Sequence, residues 1–206
     1  GCEEAQLKFY SSVGTLTLSN TRRSPFGDNV YQALTGAVAG NSANMYATLP
    51  GRPQSKYKFI VYWTLIAASL DTPRNVKFYL RIYNDISAKN GYVIYKHHSG
   101  GAYDYKWRYD APGTGETDIP GAAEAIIVGS TESVWQRLEL DIDFTGASPI
   151  LRNMRTNKLN LTALDLTLST TPVASQYAIM PLISVDTDLA SASTLCVAYL
   201  GIFEID

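Results

Sequence analysis

Tyr103, Tyr105, Trp107 and Tyr109 alternate with Asp104, Lys106, Arg108 and Asp110. On an extended strand that period puts the rings on one face and the charges on the other. Aromatic faces stack on the CH faces of sugars, while carboxylate and guanidinium groups bond hydroxyls, so this set could form a glycan platform. The same stripe describes a strand that simply buries its aromatic side, the commoner use of such a pattern. A second set runs Lys77, Tyr79, Arg81 and Tyr83 against Val76, Phe78, Leu80 and Ile82. Here the apolar side supplies core, and the tyrosines and cations face water. Exposed rings interleaved with cations suit a binding or assembly surface. Cross-strand pairing on an ordinary solvated sheet would use the same residues. The candidate ligand-binding residues are therefore Tyr79, Arg81, Tyr83, Tyr105 and Trp107.

Acidic residues offer two further constellations. Asp186 and Asp188 have the i, i+2 spacing of some oxygen-ligand calcium loops, and a solvated acidic turn fits them equally. Glu139, Asp141 and Asp143 share one strand face. Glycosidase carboxylates must flank a sugar roughly 5–10 Å apart, whereas these point the same way, so a soluble outer face is expected. His97 and His98 are adjacent and point to opposite sides of a strand, which keeps them from sharing a metal. The sequence carries no HExxH, no G-x-S-x-G elbow and no phosphate-binding glycine loop. No catalytic residue is assigned, and the chain is expected not to be an enzyme. Cys2 and Cys196 lie near opposite ends, and a disulfide between them is possible if the first and last strands are neighbours. Cys2 also fits a lipid-modified cysteine, and Cys196, between Leu195 and Val197, fits a small buried residue.

The elements that must position these groups are strands. Residues 57–65, 75–83 and 135–144 alternate apolar with polar side chains along much of their length, and 177–185 and 195–205 read as the strands that close the chain. Residues 159–168 do so with a register shift between Leu161 and Leu164, which suggests a β-bulge. Residues 84–91 read as a polar turn, and 112–121, rich in Gly and Pro, as a loop. About ten closely spaced strands predict a single-domain antiparallel jelly-roll β-sandwich. It is expected to span 1–206, with 1–20 as an N-terminal arm or exchanged strand. Charged residues make up 17% and tyrosines number 14, a balance that suits an extracellular or assembly-forming β-protein. The net charge of −2, without any basic cluster, excludes nucleic-acid binding through phosphates. No apolar run approaches the roughly 20 residues of a membrane span. The chain opens at Gly1-Cys2 without Met, which reads as a processed, secreted or virion-borne N-terminus.

Several landmarks together resemble the jelly-roll carbohydrate-binding modules, the galactose-binding-like sandwiches. Residues 41–49 (NSANMYATL) precede a Pro/Gly turn, 55–63 read SKYKFIVYW, 133–138 read SVWQRL, and 197–206 form a closing strand. The resemblance implies glycan recognition and a structural Ca²⁺ held by carboxylates and carbonyls, for which Asp186 and Asp188 are the candidates. A weaker likeness joins residues 9–19 (FYSSVGTLTLS) to the opening strand of TasA-like or camelysin-like secreted fibre subunits, and implies a strand inserted into a neighbour. The expected function is a non-catalytic structural subunit of an extracellular or viral filament, tube or particle, with copies of itself as partners through strand addition. The alternative is a carbohydrate-binding module or surface adhesin with a glycan as partner.

Overall fold

The structure, a computed structural model, describes residues 8–10, 15–23, 25–26, 29–49, 55–67, 73–83, 87–99, 102–126, 128, 134–172, 178–187 and 192–206. Its strands are, in chain order, β1 (Lys8–Tyr10), β2 (Thr15–Arg23), β3 (Asn29–Leu34), β4 (Ser42–Tyr46), β5 (Lys56–Ala67) and β6 (Pro73–Tyr83). There follow β7 (Ser87–Ser99), β8 (Ala102–Ala111), β9 (Gly115–Ala123), β10 (Gln136–Asp143) and β11 (Ile150–Thr156). The last are β12 (Asn160–Leu161), β13 (Leu166–Thr167), β14 (Thr170–Pro172), β15 (Ala178–Thr187) and β16 (Ser193–Ile205). No helix occurs among the described residues. One sheet runs β1-β4-β15-β6-β7-β8-β9, with β14 beside β7. The other runs β12-β11-β10-β5-β16-β3-β2, with β13 beside β11. All pairings are antiparallel, and the expected jelly-roll β-sandwich is what the chain forms.

Alternation explains the layers. In β5, Tyr57, Phe59, Val61, Trp63 and Leu65 are buried while Lys56, Lys58, Ile60 and Tyr62 are half-buried. In β6, Val76, Phe78, Leu80 and Ile82 meet them from the other sheet. The centre is aromatic: Trp63 lies 5.2 Å from Phe78, Phe78 lies 5.8 Å from Trp107, and Trp107 lies 5.1 Å from Tyr95, between ring centroids. Burying each such side chain contributes roughly 2 kcal/mol, so this cluster anchors the two sheets face to face.

Four expectations change. The polar turn expected at 84–91 is partly strand, because β7 begins at Ser87. Asn90-Gly91 looks like a hairpin dipeptide, yet Gly91 pairs with Leu80 inside the sheet. A Cβ there would stand 2.6 Å from Ile142 Cδ1, so the glycine answers a close approach of the sheets rather than a turn. The loop expected at 112–121 is a tight turn followed by β9, with Gly113 at φ 75°. The strand expected at 159–168 is broken into β12 and β13. Ala163 (φ 53°) and Asp165 (φ 49°) turn left-handed between them, and Asn153 Oδ1 accepts the Ala163 N–H at 3.1 Å. Glu139 and Asp143 are not solvated: both are buried, under Arg137 and Arg152 respectively. The described parts of 1–20 take edge places in this chain's own sheets, β1 beside β4 and β2 beside β3.

Candidate binding site

Strand β6 directs Lys77, Tyr79 and Arg81 away from the core, because Val76, Phe78 and Leu80 take the inward side. Register then decides their company. Tyr79 stands opposite Leu182 on β15 and Tyr92 on β7, and Leu182 stands opposite Tyr46 on β4. A groove of about 490 Å³ opens over this outer face. It changes character along the strands. Ser42 and Asp186 line one end, followed by Asn44, Ser184 and Lys77, then Tyr46, Leu182 and Tyr79, and finally Met180 and Arg81. Hydroxyl and amide groups thus lead into an aromatic and apolar middle and end at a guanidinium.

The charges are managed locally. Lys77 Nζ lies 2.6 Å from Asp186 Oδ2. Burial works against the ammonium, but the hydrogen bond and attraction of Asp186 outweigh it and raise the Lys77 pKa. Tyr79 stacks on Tyr92 with 4.1 Å between centroids and 7° between planes. Burial raises both phenol pKa values, with Tyr92 far above the usual range, so both hydroxyls stay protonated at neutral pH. Arg81 Nε donates to Asn90 Oδ1 at 2.7 Å and Nη1 donates to Tyr83 Oη at 3.3 Å. Its guanidinium carbon sits 5.5 Å from the Tyr79 ring centre and 6.0 Å from that of Tyr83. Further across the sheet, Lys96 meets Glu116 at 2.6 Å, Lys106 meets Asp118 at 2.8 Å, and Arg108 meets Asp104 and Asp118.

Of the residues expected to bind a ligand, Tyr79 and Arg81 line the groove, and Tyr83 supports Arg81. Trp107 is a correction. It is 1% exposed, packed on Phe78 and Tyr95, and its Nε1 donates to Glu124 Oε1 at 2.8 Å. A ring enclosed in the core offers no face to a sugar; of the aromatic stripe of β8, Trp107 is buried, Tyr105 and Tyr109 are half-buried and Tyr103 is exposed. Tyr105 also lies away from the groove. The β7–β8 register shifts between Lys96 and His98, Tyr105 adopts φ 54°, and its ring stacks on Tyr103 at 5.1 Å. Asp186 lies in β15 and is engaged by Lys77; Asp188, the other residue of the expected calcium pair, lies outside the described residues. No group of three or more His, Cys, Asp or Glu poised for a metal occurs among the described residues. Cys196 is buried beside Val30 and Ile66. Cys2, and with it the expected disulfide or lipid anchor, lies outside the described residues.

Sequence reasoning missed the contributions of β4 and β15, namely Ser42, Asn44, Tyr46, Met180, Leu182 and Ser184. The alternation of Asn44 and Tyr46 against Met45 was a signal for an outward face. What was absent was any local sign that β4 and β15 would neighbour β6.

No protein-family model matches the sequence, and no curated protein matches it. Solved structures do resemble the chain. A legume lectin-like domain from Entamoeba histolytica aligns with a TM-score of 0.54 at 12% identity, covering 97% of this chain and 90% of that one. The alginate lyase Aly36B, in a mutant bound to an alginate trisaccharide, aligns with a TM-score of 0.53 at 12% identity, covering 93% and 88%. The potassium-bound carbohydrate recognition domain of Emp46p aligns with a TM-score of 0.50 at 10% identity, covering 91% and 88%. At such identities the likeness establishes the fold. In class, this chain is a jelly-roll β-sandwich, the fold that these structures share with it.

Proposed function

We propose that the chain is a glycan-binding β-sandwich and that the groove over β4, β15 and β6 receives the sugar. The observation that carries this reading is the composition of the groove. Tyr79 and Tyr46 offer ring surface beside Leu182, and Ser42, Asn44 and Ser184 offer hydroxyl and amide partners around them. Sugar sites need that mixture of apolar faces and directed polar groups. Binding rather than turnover is supported by the protonation states. The Tyr79 and Tyr92 hydroxyls are held protonated, and Asp186 is tied to Lys77, which leaves these groups poorly placed to act as general bases near neutral pH. The lectin-like neighbours favour this reading over a filament or particle subunit. A secreted or surface location goes with it.

Titration against a glycan array, followed by calorimetry on the hits, tests the proposal. Tyr46→Ala is expected to weaken affinity about tenfold. Tyr79→Phe, which keeps the stack on Tyr92 but removes the hydroxyl, is expected to cost less. Unchanged affinity in both variants would move the site elsewhere on the molecule.

A further inference from the structure

Two cations line the groove, and only one is neutralised. Lys77 is paired with Asp186. Arg81 has no carboxylate partner among the described residues; its bonds go to the neutral acceptors Asn90 Oδ1 and Tyr83 Oη. On the same sheet Lys96, Lys106 and Arg108 each have a carboxylate. An uncompensated charge in a partly buried groove is costly unless the ligand supplies the counter-charge.

The orientation of Arg81 narrows the ligand further. Tyr79 and Tyr83 flank the guanidinium, and Asn90 holds Nε. Nη2 has no bond among the described residues and Nη1 only the long one, so one edge of the fork is left for a ligand. Such an edge matches a planar carboxylate, which can accept two parallel hydrogen bonds. Arg81 also lies two residues from Tyr79 on the same face, roughly 7 Å along the strand. A sugar ring on Tyr79 would bring a ring carboxylate within reach of Arg81. We infer that the groove recognises an acidic glycan built from uronic acid, with Arg81 binding the sugar carboxylate. This rests on the groove being the glycan site.

The test uses oligosaccharides of galacturonic, glucuronic, mannuronic and guluronic acid, each compared with its carboxyl-reduced form, together with a sulfated neutral galactan oligosaccharide. At least one uronate is expected to bind the wild-type chain about tenfold more tightly than its reduced form, with an affinity that falls as salt rises. Arg81→Gln should abolish that preference, weakening the uronate far more than its reduced form. Arg81→Lys, which keeps charge but loses the fork, should fall between. Equal binding of acid and reduced forms, or tighter binding of the sulfated sugar, would overturn the carboxylate assignment and leave the groove reading standing. Failure of every glycan, neutral ones on the array included, would overturn the groove reading itself.

Discussion

The indole of Trp107 is held on several sides. Its ring packs between Phe78 and Tyr95, and Nε1 donates to Glu124 Oε1, whose partner oxygen accepts from Thr156 Oγ1 at 3.0 Å. Tyr95 Oη donates to the Glu124 carbonyl at 2.9 Å and accepts from Ile126 N–H at 3.0 Å. Removing the indole would empty a large core volume and leave a buried carboxylate short of a donor. Trp107→Ala is expected to cost about 3–5 kcal/mol in urea unfolding. Glycan affinity of the molecules that remain folded should be unchanged. A clean loss of binding at full stability would instead return Trp107 to the site. Tyr79 shows the opposite fate of a ring on an alternating strand. Its inward neighbours fill the core, so its ring lines the groove, with its hydroxyl bonded to Tyr92.

At the scale of the element, β7 is the informative strand. Asn90 orients Arg81 from it, Tyr92 backs Tyr79, and Lys89 Nζ reaches across to the Phe144 carbonyl at 2.8 Å. Gly91, between these residues, permits the two sheets to approach, with Ile142 and Phe144 over it. Gly91→Ala should therefore destabilise the fold by about 1–3 kcal/mol through overpacking. Thermal or urea unfolding would detect this, and a neutral result would mean that the sheets can separate locally at no cost. The sequence offered 84–91 as a turn because the stretch is polar and ends in a glycine. The long apolar-rich strands β5, β6, β10 and β16 were legible almost to their ends. The pieces around Ala163 and Asp165 were not, because their left-handed backbone is stabilised by Asn153 and Arg152 from β11, far from any local pattern.

At the scale of the whole molecule, charge ties the layers to pH. Asp143 is buried at the end of β10, which by itself would raise its pKa. Hydrogen bonds from the Thr145 hydroxyl and N–H and from Arg152 outweigh that burial and hold it at about 2. A carboxyl depressed in the folded state contributes stability above its unfolded pKa, near 4, and loses it as pH falls toward 2. The contribution is about 2 kcal/mol. Unfolding of the wild-type chain measured between pH 5 and pH 2 should show this acid loss, and Asp143→Asn should flatten it. An unchanged slope in the variant would assign the acid sensitivity to other carboxylates.

The sequence alone determined that this chain is an antiparallel sandwich, because period-two alternation is a local property of the strand and needs no partner to be read. It also placed Tyr79 and Arg81 on an outward face, because Val76, Phe78, Leu80 and Ile82 could only be core. The tertiary structure decided that Trp107, alone among the rings of the β8 stripe, is fully buried, since the inside of a strand is defined by the sheet that covers it. It also decided the membership of the groove. Residues 42–46, 77–81 and 180–186 become neighbours only through the strand order β4-β15-β6, a set of long-range hydrogen bonds that no local spacing encodes.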